Sequence, residues 1–279
     1  ETEARIVEVP DSDDATLDIL RHLPGTWTNT DTLRGRGWNM IALPHVSGEF
    51  RFNYRLLVNQ YNEVLKFTIA DKGVKNRGIS RKGGSFSTTQ VTVALDYEQV
   101  TKQSAAADFP PTNLKGGDCL PIHHEPGLWL LQLNEAEPYN RLARLASIPH
   151  GNSVLAIGSG TESNAPPEIP TINGKPTGAH SDDVDAYLAP YYHFRDNHFK
   201  GKTNDPRYQG ADSAFEGFNP LLPAELLRNA IPGKIKHTTE LRVSTRFETG
   251  GIVNTPFIEK QADASEMNSI FWIVESEVD

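Results

Sequence analysis

The chain contains little cysteine and no long apolar run, and each of these features excludes a class of structure. Cys119 is the only cysteine among 279 residues, which excludes an intrachain disulfide and a multi-cysteine zinc or iron–sulfur site. The longest apolar stretches, such as 128–133, fall far below the roughly 20 residues of a membrane-spanning helix. We therefore expect a soluble protein without a membrane partner.

Basic segments are also missing. The chain carries 36 acidic and 27 basic residues, a formal net charge of -9, and no Lys/Arg-rich stretch interleaved with aromatic residues. Nucleic-acid binding depends on such basic surfaces, so we expect no nucleic-acid partner. No apolar signal core follows Glu1, and we expect a cytoplasmic protein by default, with a removed targeting segment left open.

Short strand-like segments dominate what is present. A hairpin is predicted from 50–58 and 63–69 around the turn-prone residues Asn59 to Asn62. Further strands are predicted at 86–97, 128–133, 142–148, 154–158, 235–247 and 269–275. Many short strands with few helices predict an all-β, antiparallel barrel, and we assign residues 1–279 to one domain.

The stretch 159–233 interrupts this pattern, because it is rich in proline and shows no sustained period. Its aromatic cluster, 187–199, is too apolar for a solvated linker. We predict that the stretch is an ordered, irregular insert that covers the barrel mouth as a lid. An oligomer contact is the alternative for the aromatic cluster.

Histidines beside strand-like segments are the chemical signal of the chain. His123, His124 and Glu125 lie in one segment, and His150 follows in a Pro-His-Gly turn. An unpaired imidazole inside a barrel is costly, so it usually has a buried partner or a ligand. Adjacent residues of a strand point to opposite faces, so His123 and His124 cannot both face one pocket without a bulge. Simple local hydrogen bonding remains the alternative for these histidines.

Three segments, in this order, carry a family resemblance: the Leu-x-Gly-Thr-Trp opening at 23–27, the aromatic-rich segment 50–67 and the His-x-Glu-x-Gly-Leu element at 123–128. In these segments the chain resembles nitrobindin-like haem-binding β-barrels, a calycin family of the fatty-acid-binding-protein-like kind. The resemblance covers about half of the chain. It implies a calycin-like barrel with Trp27 buried at the floor, a haem cofactor, and action on a small diatomic ligand or peroxide.

One feature departs from that family. Its proximal histidine lies just before or at the start of the final strand, whereas the corresponding residues 254–273 contain no histidine. His150 and His237 are therefore the candidate metal ligands, with Tyr61 or Tyr97 left open as phenolate ligands.

Other site residues follow from the same hypothesis. His123, together with the two metal-ligand candidates, is expected to contact the cofactor, and Arg144 or Arg141 to pair with a propionate. His124 and Glu125 are the candidate catalytic residues, with Glu125 as the orienting carboxylate.

Three functions remain open at this stage. The first is a haem-binding barrel, for which the candidate activities are peroxidase-like or nitric-oxide/peroxynitrite-handling. The second is a cofactor-free calycin barrel that binds an apolar small molecule under a lid. The third is a cofactor-independent hydrolase or isomerase that uses His123 or His124 with Glu125. In each case the expected partner is a small molecule.

Overall fold

A computed structural model describes residues 14–28, 37–46, 48–82, 85–133, 141–148, 151–179, 187–202, 217–246, 251–254 and 266–277. Within these residues lie a 3-10 helix at Ala15–Leu20 and two α-helices, α1 at Ala189–Asp196 and α2 at Glu225–Asn229. The strands are β1 Gly25–Thr28, β2 Gly37–Pro44, β3 Tyr54–Lys82, β4 Ser85–Phe109, β5 Pro121–Gln132, β6 Leu142–Ile148, β7 Asn152–Ser163, β8 Ile235–Ser244, β9 Ile252–Asn254 and β10 Asn268–Ser276. No described helix is long and apolar enough to cross a bilayer.

The strands form one antiparallel sheet that curls into a half-barrel. The order along the sheet is β1-β3-β4-β5-β6-β7-β8-β10, with β2 paired to β3 and β9 paired to β7. This confirms the all-β, antiparallel fold class predicted from the sequence. The curl gives the sheet a concave face, which holds the main hydrophobic core.

Leucines from the N-terminal 3-10 helix and from the residues just after it fill that core. Leu17, Leu20 and Leu23 are fully or almost fully buried beside Trp129 and Leu241 of the sheet. Asp14 caps the helix by accepting a hydrogen bond from the Thr16 amide at 2.9 Å. We call this cluster the barrel core, and its apolar burial holds the helix against the concave face.

The prediction that Trp27 is buried at the barrel floor is wrong. Trp27 is 43% exposed, because β1 is a short strand at the edge of the sheet. Its indole N–H does have a partner, the carbonyl oxygen of Leu23 at 2.9 Å. The leucines of the 3-10 helix occupy the interior position expected for this indole.

The predicted hairpin around 59–62 is also wrong, because β3 continues through these residues. The strand shifts register between Gln60 and Tyr61, where a bulge absorbs one residue. Asn59 and Gln60 are buried, and their side chains have partners: Asn59 donates to Asn39, and Gln60 accepts from the amide of Lys202. These two of the polar residues that suggested a turn are thus held in β3 by tertiary partners.

The insert is more regular than expected at its start, since β7 continues to Ser163. Farther along, α1 buries Tyr191, Tyr192 and Phe194 against Leu56 and Val58 of β3. We call this second apolar cluster the α1 cluster. Whether the insert acts as a lid stays a prediction.

Candidate functional site

Polar residues from two neighbouring rows cross the concave face beside the barrel core. Residues paired across antiparallel strands point to the same side of a sheet. Glu63, Thr101 and His123 are paired in one such row, and Gln99 and Glu125 belong to the next row. We call these five residues the polar layer.

The row on one side of the polar layer is apolar. Phe67 pairs with Tyr97 there, and both belong to the barrel core. On the other side, Tyr61 lies in phase with Glu63 along β3. Leu56 of the α1 cluster is out of phase with Glu63, so that cluster lies on the opposite face of β3. The polar layer therefore borders the barrel core on one side only.

Arg144 of β6 joins the polar layer from the barrel core. Its guanidinium donates to Glu125 at 2.5 Å, to the Tyr97 hydroxyl at 3.0 Å and to Ser269 at 2.6 Å. The guanidinium carbon also lies 5.2 Å from the ring centroids of both Tyr97 and Phe271. Arg144 and Glu125 are both buried, so their charges are compensated inside the protein rather than by water.

Gly127 explains how Tyr97 reaches this network. The two residues face each other across β4 and β5, and a Cβ at Gly127 would collide with the Tyr97 ring and with the Leu145 carbonyl oxygen. The missing side chain therefore lets the ring lie across β5. From there the Tyr97 hydroxyl donates to Glu125.

Glu125 is held in its ionised form. Burial by itself opposes ionisation, but the hydrogen bond with His123 and the charge of Arg144, together with the remaining hydrogen bonds, lower the pKa of Glu125 to about 2. The carboxylate is therefore a fixed negative charge at any pH near neutrality.

His123 is the outermost member of the network. Its Nε2 lies 3.2 Å from Glu125 Oε2, and its side chain is 28% exposed. Because an ionised carboxylate can only accept, Nε2 carries a proton, and in the neutral imidazole the lone pair is therefore on Nδ1. The arrangement thus presents an oriented, partly exposed imidazole.

Two groups next to His123 have unusual environments. Burial raises the pKa of Glu63, and the hydrogen bond with Gln99 and the charge of Arg144 offset only part of that effect. The hydroxyl oxygen of Thr101 is buried and has no hydrogen-bond partner among the described residues. An unsatisfied buried hydroxyl is costly, so it marks a place where a water or a ligand atom fits.

The two tyrosines considered as phenolate ligands are held in the neutral form. Burial raises the pKa of Tyr61 to about 12. It also raises the pKa of Tyr97, against the opposing charge of Arg144. Neither hydroxyl ionises readily near neutral pH.

His124 does not join the network. It lies on the opposite face of β5, where it is exposed and its Nε2 is 3.0 Å from Glu98 Oε1. The alternation of strand side chains separates it from His123, as the sequence predicted.

Other predicted site residues lie elsewhere. His237 lies near the start of β8, away from the polar layer, and its Nε2 is 3.3 Å from Glu162 Oε1. Arg141 donates to Asp18 and to the carbonyl oxygen of Gln132, away from the polar layer. His150 lies outside the described residues.

A cavity of about 630 Å³ lies on the convex face of β7 and β8. Thr161, Thr238 and Arg242 line its sheet side, and the proline-rich segment 165–170 covers it. Sheet residues that line the cavity alternate with Glu162 and Thr239, which point to the concave face. The cavity is thus separate from the polar layer.

Sequence reasoning brought together His123, Glu125 and Arg144 but missed Glu63 and Ser269. A periodic signal was available for both. Glu63 is in phase with the inward residues Leu65 and Phe67, and Ser269 is in phase with Phe271. A polar residue in the inward phase of a strand is a candidate for a buried network.

The fold and the site define an all-β protein whose curled antiparallel sheet carries a buried, charged network beside an oriented histidine. Comparison of the chain with family models, with curated proteins and with solved structures found no match. The resemblance to nitrobindin-like barrels stays a prediction.

Proposed function

We propose that the protein binds haem at the polar layer, with His123 as the iron ligand. The observation that supports this most directly is the pair formed by His123 and Glu125, 3.2 Å apart. Imidazoles that bind metals usually donate their other N–H to a carboxylate or carbonyl, which fixes the ring and strengthens the ligand. His123 has such a partner, and neither His124 nor Arg141 is similarly positioned on the concave face.

The surroundings of His123 suit a large ligand with apolar and polar parts. The barrel core offers apolar surface on one side of the polar layer. The Thr101 hydroxyl, which has no hydrogen-bond partner in the described part of the chain, offers a polar contact next to His123. Bound haem would supply an iron centre that takes up diatomic ligands or reacts with peroxide.

The protein's own groups would orient and supply protons. Glu125 stays ionised and holds the His123 ring, while Arg144 balances the charge of Glu125. Glu63 keeps its proton to a higher pH than an exposed glutamate, because burial disfavours its charged form. It is therefore the group best suited to give a proton to a small molecule bound beside His123.

A hemin titration tests this proposal. We expect the purified protein to develop a saturable Soret band, and His123→Ala to lose the ligand-induced shift. His124→Ala is the matched control, since it removes the neighbouring imidazole from the opposite face. The proposal fails if the parent protein does not bind hemin, or if His123→Ala binds it as the parent does.

A second candidate is cofactor-free binding of an apolar small molecule beneath the insert. The convex-face cavity favours it, because about 630 Å³ lies within the size range of small-molecule sites. Its cover is mostly apolar, formed by Pro166, Pro167, Ile169 and Pro170. Glu240 and Arg242 add a charged pair at 2.8 Å.

Filling the cavity separates the two candidates. Thr161→Trp places a large side chain on the cavity wall, so it should weaken the binding of an apolar fluorescent probe and leave hemin binding unchanged. Hemin binding that is lost in Thr161→Trp but retained in His123→Ala would favour the cavity as the site of the ligand.

A further inference from the structure

A second histidine cluster lies at the opposite end of the concave face from the polar layer. His22 follows the 3-10 helix, Glu162 lies on β7 and His237 on β8. One potential ligand atom from each of the three residues lies within 4.8 Å of the other two. The proposed haem site uses none of these residues.

The His22 ring has a buried nitrogen that lacks a hydrogen bond to the described residues. Its Nε2 atom is buried and has no hydrogen-bond partner in the described part of the chain. The nearest acidic oxygen, Glu275 Oε1, is 3.6 Å away, which is too long for a hydrogen bond. A buried imidazole nitrogen without a partner is costly unless something else binds it.

His237 already has the partner that a metal-binding imidazole needs. Its Nδ1 lies 3.2 Å from Asn164 Oδ1, an oxygen that can only accept. Nδ1 therefore carries a proton. Nε2 lies 3.3 Å from Glu162 Oε1, and a metal ion bound at Nε2 would take the place of the proton that this nitrogen donates to the carboxylate. A hydrogen bond of this kind fixes the tautomer of a ligating histidine.

Glu162 completes the donor set as a carboxylate. Burial opposes its ionisation, but hydrogen bonds with Arg21 and His237 lower its pKa. Arg21 contacts the same oxygen as His237, so a bound cation would use the remaining carboxylate oxygen or displace Arg21.

We propose that His22, Glu162 and His237 form a binding site for a divalent transition-metal ion such as Zn²⁺, separate from the proposed haem. Two imidazoles and one carboxylate are a common ligand set for zinc and for non-haem iron. Tetrahedral zinc places its ligand atoms about 3.3 Å apart. Shifts of about 1 Å in the side-chain ends would bring the three ligand atoms from their present separation to this distance. Glu275 is near enough to supply a fourth ligand.

Such an ion would link the N-terminal 3-10 helix to the sheet. His22 comes two residues after Leu20, the last residue of that helix, whereas the other two ligands belong to neighbouring strands. Metal binding would therefore favour the arrangement in which the leucines of the helix fill the barrel core. An ion that binds only the folded state raises its stability by mass action.

Titration of the chelator-treated, hemin-free chain with Zn²⁺, followed by calorimetry, and with Co²⁺, followed by its visible absorption, tests the proposal. We expect one ion per chain and a higher Tm with Zn²⁺. His22→Ala and His237→Ala should each lower the affinity by more than the about 10–100-fold typical of losing an outer-shell partner. His124→Ala is the matched control, because it removes an exposed imidazole that is also paired with a glutamate.

Glu162→Gln is the conservative variant, because it keeps the shape of the side chain if an alanine variant does not fold. It should weaken Zn²⁺ binding while circular dichroism shows an unchanged fold. Absence of Zn²⁺ binding in the parent, or equal binding in His22→Ala, His237→Ala and Glu162→Gln, would overturn the proposal. Hemin binding should be unchanged in His237→Ala, which separates this site from the haem proposal.

Discussion

The two polar clusters of the concave face use the same residue types in different surroundings. In the first, Glu125 and Arg144 have side chains that are 9% and 10% exposed. In the second, Glu162 and Arg21 are 32% and 28% exposed. Both pairs place a guanidinium on a glutamate, and both glutamates also contact a histidine.

The difference in burial changes what each pair contributes. A buried ion pair leaves an uncompensated charge in a medium of low polarity when one partner is removed. A half-exposed pair is screened by water, which can solvate whichever partner remains. We therefore expect the first pair to control stability, and the second to be free to exchange its partners for a bound ion.

The largest expected effect is that of Glu125→Ala. Removal of the carboxylate leaves Arg144 buried without its counter-ion, and such losses typically cost about 3–5 kcal/mol. Urea denaturation followed by tryptophan fluorescence measures the free energy of unfolding. A loss below about 1 kcal/mol would mean that Arg144 is solvated in the way expected for Arg21, and the comparison would fail.

The second largest loss of stability is expected for a leucine of the 3-10 helix, which lies near the second cluster. Leu20→Ala deletes a fully buried side chain and should cost about 2–5 kcal/mol, as other large-to-small core substitutions do. Trp27→Ala should cost less, because that indole is 43% exposed. Denaturant unfolding curves of the two variants, measured in parallel, show which loses more free energy of unfolding. A larger loss for Trp27→Ala would support the barrel-floor position predicted for this residue.

A pH effect distinguishes the two glutamates of the polar layer. The pKa of Glu125 is lowered to about 2, so its contribution to stability is present above its ordinary pKa and is lost as the pH falls from about 4.5 toward 2. The groups that face Glu125 and produce this effect are His123, Tyr97 and Arg144. As the pH is lowered across this range, the free energy of unfolding should decrease in the parent and should decrease less in Glu125→Gln.

Glu63 should act in the opposite direction. Its pKa is raised, so its contribution is present below its ordinary pKa and is lost as the pH rises through the folded-state value. In Glu63→Gln, the free energy of unfolding should therefore decrease less than in the parent as the pH rises above the acid range. A steeper loss in Glu63→Gln would contradict the raised pKa.

The smallest expected effect is that of Arg21→Ala. The variant removes a half-exposed pair with Glu162 and a hydrogen bond to the carbonyl oxygen of Asp18. Exposed pairs of this kind contribute about 0–1 kcal/mol. The same denaturation measurement should show little change, while Zn²⁺ affinity should be retained or increased because a competing cation has been removed.

Strand residues with regular alternation were the most predictable part of the fold. The segments 142–148 and 269–275 lie in β6 and β10, and 128–133 overlaps the end of β5, because inward apolar side chains recur at every second residue there. The segment 59–62 was not predictable, since its polar residues resemble a turn. Buried partners from β2 and from the insert keep it in β3 instead.

The sequence by itself determined the all-β class and the placement of His123 and His124 on opposite faces of a strand, because both depend on the alternation of side chains along single strands. Only the tertiary structure decided which of the two imidazoles contacts Glu125. Only the tertiary structure decided that Leu17 and Leu20, rather than Trp27, fill the core, since that depends on which strand lies at the sheet edge. It also decided that His22, Glu162 and His237 meet. These residues belong to elements far apart in sequence, and the pairing of β7 with β8, together with the position of the 3-10 helix, brings them together.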